Sequence, residues 1–470
     1  MVLNTQYRST QILLTLSLCL LLGILWKLIP HPLLAIAIGL FPIAILFALH
    51  QPFLIVLLFV MFSFFRIHEV FPQLYNLKIP LLLSMASLGA LSWHIGLTQK
   101  IKAYWCPELT AMSVFFGLVL LGTLMASNIP IAIEYFKNIY WKIIVMTFAI
   151  AWLSSTARDF SLASKLITFS GMLVGLVALS NKINGIGLVE ETRVTIGRNI
   201  GSVLGDPNDL ALVLMLPVAF AISLVMTGSM GRFTKLFGLF SVLVLFFAII
   251  ATQSRGGLLG IMAIFGVYGY RRTQSKALFF SLAGIAAIAL FILADISGRA
   301  SGGAAETGID ASAMGRLYAW EAAYKMALHN PFSGVGINNF YANYFFYSPH
   351  WDGRNHAVHS TWFGVLAETG FLGLIAFITA IVMLVKTSLH SLHRIEQNLH
   401  QVDPAIHATA QAVLAGLLGT VVSATFLTQG FTWPIYILAA LVIAVARWVN
   451  LHLPPTPVTQ SPPHNINHHR

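Results

Sequence analysis

The stretch 277-ALFFSLAGIAAIALFILA-294 carries no charged residue in 18 positions, enough apolar length, as helix, to cross the hydrocarbon core of a bilayer. Directly after it the chain changes character, because Asp295 opens a polar, glycine-rich segment that runs to His359 before the next apolar run begins. Similar apolar runs occur at Ile12 to Ile29, Leu81 to Leu97 and Ser161 to Ser180. They are continuous and do not alternate with period two, so they predict spanning helices and exclude a closed β-barrel.

Working outward from 277–294, about fourteen spans are predicted, near 11–29, 33–49, 52–65, 80–97, 110–127, 139–156, 161–180, 207–227, 236–253, 257–270, 277–294, 360–386, 407–428 and 432–449. The pair 33–49 and 52–65 is short and reads equally as a re-entrant hairpin, which gives twelve. The fold class is all-α: a transmembrane helical bundle over 1–294, one large loop over 295–359, C-terminal helices over 360–450 and a disordered tail over 451–470. Composition agrees. Charged residues are 9% and apolar residues 57% of the chain, with a mean hydropathy of +0.80, a balance that cannot cover a water-soluble globule. The first run is too long for a signal peptide and no small-x-small cleavage site follows Lys27, so it reads as an uncleaved helix. Cys19 and Cys106 suggest no disulfide framework.

With the N-terminus inside, fourteen of the 27 Lys and Arg residues fall on the inner side, together with only four of the 16 acidic residues. The inner loops are short, so their basic density is the higher, in the sense of the positive-inside rule. The outer side nevertheless holds Arg193, Arg198, Arg255, Arg299, Arg316 and Arg354, where topology does not call for arginine. A guanidinium is a permanently charged fork of donors that matches phosphate oxygens. Each of these arginines can also cap a helix end or snorkel to lipid phosphates.

Four patterns stand on this face. Gly205-Asp206-Pro207-Asn208-Asp209 is a helix start, with Asp206 as the cap, Pro207 in the first turn and Asp209 slightly deeper, where it could orient an arginine. Ser254-Arg255-Gly256-Gly257 is a tight turn at a membrane boundary, read equally as a cap and as a close approach to a ligand. Gly315-Arg316 leads an amphipathic stretch with Leu317, Trp320, Tyr324 and Leu328 at helical spacing, expected in the interface with that side toward lipid and stopped by His329-Asn330-Pro331. Gly334-Val335-Gly336 is a turn, because no nucleotide-binding fingerprint accompanies it. His356 and His359 close the loop before Glu368-Thr369-Gly370; a histidine at such a boundary can take and return a proton. Zinc binding by His350, Asp352, His356 and His359 is disfavoured, because no second tight ligand pair is present.

In order and placement, these patterns resemble the O-antigen ligase and polymerase superfamily of membrane glycosyltransferases of the GT-C type. The matching features run from about Gly197 to Gly373: 205-GDPNDLA-211, 254-SRGG-257, Gly315-Arg316-Leu317 with Trp320, Pro331-Phe332-x-Gly-x-Gly336, and His359 nine residues before Glu368. Ser360 stands where the family commonly has asparagine, and with the Leu-Ala-Glu-Thr-Gly that follows, the chain looks closest to O-glycosylation ligases found with exosortase systems.

The resemblance implies a glycan donor on undecaprenyl diphosphate and an acceptor hydroxyl on a glycan, a lipid or a protein. It implies neither cofactor nor metal, and membrane lipids rather than nucleic acid as surroundings. The place implied is the bacterial inner membrane, with the site facing the periplasm. His359, Arg255 and Arg316 are then the expected catalytic residues, and Arg193, Arg198, Asp209, Trp320 and His356 the expected substrate-binding ones. A repeat-unit polymerase of the same superfamily is the alternative. A lipid-linked saccharide flippase is the competing class, against which stand the lack of an internal repeat and the few charges deep in the spans.

Overall fold

The computed structural model describes residues 32–293 and 311–454, together with a few positions between 15 and 27. The predicted first span, the part of the loop from 294 to 310 and the tail from 455 lie outside the described residues. Among the described residues the protein is all-helical, with a single isolated bridge between Val189 and Arg193 in place of any sheet.

The helices are α1 (Pro32–His50), α2 (Pro52–Phe64), α3 (Ile79–Leu97), α4 (Pro107–Leu124), α5 (Ile129–Leu153), α6 (Ala157–Asn184), α7 (Pro207–Met226), α8 (Arg232–Thr252) and α9 (Arg255–Arg272). They continue with α10 (Lys276–Leu293), α11 (Ala311–His329), α12 (Phe340–Tyr347), α13 (Thr361–Gln397), α14 (Pro404–Ala424) and α15 (Trp433–His452). Each predicted span that falls on described residues coincides with one of these helices. Among the described residues nine helices are long and apolar enough to cross a membrane, and the bent pair α1/α2, which turns by 101° at Gln51-Pro52, makes ten. The sequence count of twelve to fourteen was higher for three reasons. The first span is not described, and α1/α2 form one broken unit. In addition, α9 carries Arg255, Arg271 and Arg272 at its ends, while the apolar part of α10 is only Lys276–Ala289. The chain is a multi-pass membrane protein.

Helix α7 lies at the centre. Its apolar run is continuous around the helix, and 83% of its span is buried, against 28% for α3; a helix that is apolar on all sides is stable only when surrounded by other helices. Glycines set the close crossings. A Cβ on Gly260 would meet the sulfur of Met215 at 2.1 Å, and one on Gly257 would meet Ala211 at 2.6 Å, which brings α9 against α7.

The helix ends collect into the two faces that alternation predicts. On one, Ser202 donates to Glu69 at 2.6 Å, Asn128 N–H donates to Asn339 at 3.1 Å and Arg193 reaches Thr252 and Asn208. On the other, Arg271 pairs with Glu396 at 2.6 Å, Thr387 donates to Glu108 and Arg394 donates to Asn450. All of the sequence-predicted site residues belong to the first face.

Helix α11 runs as predicted to His329 and stops before Pro331, but its faces are divided differently. Leu317, Tyr324 and Leu328 point outward as expected. Trp320 does not. It packs with the buried Ala319, Ala322, Ala323 and Met326 against α12 and α13, because the small alanines leave room for a large ring on that side.

The glycine motif after α11 is a structural clasp. Val335 N–H donates to Ala367 O at 2.8 Å, Ser127 N–H donates to Val335 O at 3.0 Å and Phe371 N–H donates to Pro331 O at 2.8 Å. Helix α13 breaks at Gly370, whose φ of 69° and ψ of −170° are non-helical, and this opens the carbonyls that the clasp uses. Glu368 is consumed here too: its carboxylate accepts from Asn338 N–H at 2.9 Å and from Phe340 N–H at 3.2 Å, at the start of α12. Both motifs thereby fix where the loop re-enters the bundle.

Candidate functional site: an outer-face cluster around His359

Asp206 caps α7 as the sequence predicts, accepting from Asn208 N–H at 2.7 Å and from Asp209 N–H at 3.3 Å, with Pro207 next. Asn208 then joins three segments. Its side-chain oxygen accepts from Ser254 Oγ at 2.9 Å and from Arg193 Nη2 at 3.1 Å, while Arg193 Nε donates to Thr252 O at 3.1 Å. Arg193 is 4% exposed, so its guanidinium is spent on tying the 185–206 segment to the turn between α8 and α9. Its removal leaves the Asn208 oxygen with Ser254 as its donor and takes the Arg193 donor from the Thr252 carbonyl, at about 1–3 kcal/mol for a buried group left unsatisfied. Arg193→Ala should therefore lower the melting temperature in detergent; an unchanged melting temperature would remove the tethering role.

His359 is pinned on both sides. Before it, the Trp320 indole N–H donates to Val358 O at 3.0 Å, and the Trp320 ring stacks on Phe363 with centroids 5.0 Å apart. After it, Thr361 Oγ1 donates to Leu427 O at 2.7 Å and accepts from Gln429 N–H at 2.7 Å. Between these anchors His359 adopts a φ of 44°, a left-handed conformation that costs a non-glycine residue about 1–3 kcal/mol and is concentrated at functional sites.

The surroundings of the imidazole are charged. His359 is half-buried and its pKa is held below the ordinary value of 6.5, chiefly by burial and next by Arg316, with a smaller contribution from His356; Asp206 pulls in the opposite direction. The neutral ring is thus the favoured form near pH 7. The Arg316 guanidinium stands 6.0 Å from the centre of the Phe426 ring. Arg255 opens α9, and the residue after it, Gly256, packs against Phe426 and Leu427, which would lie 3.3 Å from a Cβ there. The Arg316 side chain and the backbone at the start of α9 therefore both lie against the connection 425–432 between α14 and α15.

Three expected residues are engaged elsewhere, although His356 still acts on His359 through its charge. Arg198 is exposed and lines a separate hollow with Asn181 and Thr195. His356 is bound to Asp352, with Nε2 3.0 Å from each carboxylate oxygen. Asp209 lines a cavity shared with Arg66, Lys142 and Gln429. Among the described residues no group of three or more His, Cys, Asp or Glu side chains is arranged to hold a metal ion.

The arrangement sets a half-buried imidazole, favoured in its neutral form, within electrostatic reach of a guanidinium and a carboxylate, at the mouth of a spanning helix. Comparison with known families then decides the class. Residues 239–378 match the O-antigen ligase family. The matched O-antigen ligase domain begins in α8 and ends in α13, so it holds Arg255, Arg316, Trp320, His356 and His359. Asp206 and Asp209 precede it, and the 425–432 connection follows it. Such a domain identifies an enzyme of the glycosyltransferase/ligase class, whose substrates are lipid-linked glycans in general. A search of curated proteins returns no match.

The sequence did not disclose two partners of the site. Asp206 was read as a helix cap alone, and its second role as a neighbour of His359 depends on a through-space approach that no spacing encodes. The 425–432 connection was passed over as a short link between spans, although Gln429 and Thr432 between two apolar runs were a signal that it is polar inside.

Proposed function

We propose that the protein transfers a glycan from undecaprenyl diphosphate to an acceptor hydroxyl at the periplasmic face of a bacterial inner membrane. The observation that carries this reading is His359, held on left-handed backbone with its proton affinity lowered by burial and by Arg316, an effect that Asp206 opposes. The neutral imidazole takes the proton of the acceptor hydroxyl as its oxygen bonds to the anomeric carbon. The bond from that carbon to the phosphate oxygen breaks, and its electron pair leaves on the diphosphate. Arg316 and Arg255 stabilise that charge in a site of low polarity, where fixed donors act strongly. A single displacement of this kind inverts the anomeric configuration. Asp206 steadies the imidazolium that forms, and Trp320 positions the ring through Val358.

Reconstitution in vesicles with a labelled undecaprenyl-diphosphate glycan tests the reading. Transfer to an acceptor supports it, and translocation without transfer would replace it with a flippase. A product lengthened on the lipid identifies a polymerase.

Two expected results follow from the site. Arg255→Lys keeps the charge but loses the planar fork, and donor affinity should fall about tenfold, the weight of one charge-assisted hydrogen bond; wild-type donor affinity would remove Arg255 from diphosphate binding. The pH profile of transfer should show an acid limb below pH 6.5, because a base works deprotonated and burial and Arg316 hold His359 below that value. Arg316→Ala removes one lowering influence and should move the limb up in pH, whereas Asp206→Asn removes the raising one and should move it down. Limbs that coincide in all three proteins would show that another group titrates.

A further inference from the structure

Toward the face opposite His359, helices α9 and α14 part. They touch at Gly260 and Gly419, where a Cβ on Gly419 would lie 2.4 Å from Ile264 and 3.1 Å from Gly260 O. Further along α9, a Cβ on Gly266 would meet nothing within 4 Å. The gap is a cavity of about 930 Å³, to which α10 and α13 also contribute wall. Arg255 opens α9 at the other end, so the cavity is separate from the site around His359.

The wall has two zones. Along the spans it is apolar, with Ala263, Gly266 and Val267 from α9, Leu414 and Leu418 from α14 and Leu392 from α13. At the helix ends it is basic, with Arg271, Arg272 and Lys276. From Ala263 to Arg272 the helix rises by roughly 14 Å, about the hydrocarbon depth of one leaflet. An apolar slot of that depth, ending in cations, has the layout of a phospholipid: an acyl chain and then a headgroup phosphate.

The charges at its mouth do not cancel. Arg271 pairs with Glu396 at 2.6 Å, and among the described residues Glu396 is the one carboxylate in the wall. Arg272 is exposed and spends one N–H on Met226 O at 3.0 Å, which leaves the rest of its fork to a ligand. Lys276 is exposed too, donates to Tyr270 O at 2.8 Å and stands 3.6 Å from the centre of the Tyr270 ring. Two cations therefore remain without a carboxylate among the described residues, and the position they take suits a phosphate.

Basic residues at any helix end can reach lipid phosphates. What sets this pair apart is the slot behind it, where a chain is held between helices and not merely beside them; basic pockets between spanning helices are a recurrent way of binding acidic lipids. The headgroup charge decides the class. A phosphatidylethanolamine brings its own ammonium against Arg272 and Lys276, whereas a phosphatidylglycerol brings a phosphate and no cation.

We propose that this cavity binds one anionic diacyl phospholipid of the phosphatidylglycerol class, its phosphate on Arg272 and Lys276 and an acyl chain in the slot between α9 and α14. A lipid so placed braces the helix whose other end carries Arg255, and the assignment is independent of the glycan-transfer reading. The full chain, extracted in mild detergent, is titrated with phosphatidylglycerol and with phosphatidylethanolamine of the same chains and read by native mass spectrometry. Phosphatidylglycerol should form a one-to-one complex about 25-fold tighter, because each basic residue near a membrane surface contributes about fivefold on an acidic lipid. Arg272→Gln/Lys276→Gln should erase that preference. Lys100→Gln/Lys102→Gln removes the same charge from exposed positions between α3 and α4, on the same face but outside the cavity, and should keep it. Gly266→Leu fills the slot with every charge in place and should abolish the one-to-one complex. The melting temperature should rise with added phosphatidylglycerol in the wild type and in neither cavity variant. Should Gly266→Leu fail to fold, Arg272→Gln/Lys276→Gln, which alters exposed side chains, carries the test. Equal binding of the two phospholipids, or a preference that survives Arg272→Gln/Lys276→Gln, leaves annular lipid only and overturns the proposal. A complex that persists in folded Gly266→Leu overturns it too, because the chain then lies elsewhere. So does release of the lipid by inorganic phosphate, which makes the pair a free-phosphate site, or by undecaprenyl diphosphate at equal concentration, which gives the cavity to the polyprenyl lipid.

Discussion

Replacing His359 with alanine should lower glycan transfer by about 10² to 10⁴-fold, the usual contribution of a positioned general base, while donor binding and folding are retained. Folding should survive because the anchors on either side, Trp320 to Val358 and Thr361 to Leu427, use backbone carbonyls and do not involve the imidazole. Alanine inherits the same φ of 44°, so backbone strain is common to both proteins and cannot account for a difference in rate. Donor binding should survive because Arg316 stays in place over Phe426 and loses a neighbour that becomes cationic on protonation. Asparagine at 359 separates proton transfer from simple positioning. It tolerates left-handed backbone and offers a hydrogen-bond acceptor, but it cannot hold a proton at neutral pH. A base predicts that His359→Asn is as slow as His359→Ala; recovery of most of the rate by asparagine would make His359 a positioning residue, and full activity in the alanine variant would remove it from the mechanism.

The sequence disclosed most of the fold because lipid simplifies the problem. Once water is excluded, an apolar run of sufficient length has one stable conformation, and alternation assigns its ends to faces. Span counting ran high where that logic weakens: at the α1/α2 bend, which the sequence already allowed as a re-entrant hairpin, at α9, whose terminal arginines reduce its hydropathy, and at α10, whose apolar part is short. Parts of the site were legible for a different reason. Arg255, Arg316 and His359 stood out because such side chains are costly at a membrane boundary and are rarely present without use.

What the sequence could not disclose was which of several arginines would be consumed by the fold. Arg193 and Arg255 look alike in sequence, yet Arg193 is buried on Thr252 and Asn208. Nor does helical spacing tell a lipid-facing tryptophan from one that packs inward, since Trp320 shares its stripe with Leu317 and Tyr324. Its direction is decided by the alanines of α11 and by Phe363, 43 residues away.

The largest effect on folding is expected at Gly334. Its φ is +62°, and a Cβ there would lie 2.4 Å from Ala367 O, from Glu368 C and from Thr369 N. These are backbone atoms of α13, next to the break at Gly370, and no rotamer change can make room for the methyl group. The clasp must open, losing Val335 N–H to Ala367 O and, with it, the register that lets Glu368 hold the start of α12. Left-handed backbone alone costs alanine about 1–2 kcal/mol, and the lost buried hydrogen bonds add about 1–3 kcal/mol each, enough to exhaust much of the stability of a typical domain. Gly334→Ala should therefore give little folded protein, seen as a collapse in the monodisperse fraction after extraction. Gly353→Ala isolates the strain contribution, because its φ is +91° while nothing lies within 4 Å of the added carbon; it should lower the melting temperature by only a few degrees, for about 1–2 kcal/mol. Gly315→Ala, with open space around the position inside helix α11, should stabilise slightly, by about 0.5–1 kcal/mol. If Gly334→Ala melts with Gly353→Ala, the clasp yields easily, and the tight passage between α4 and the break in α13 is not what holds the loop over the site.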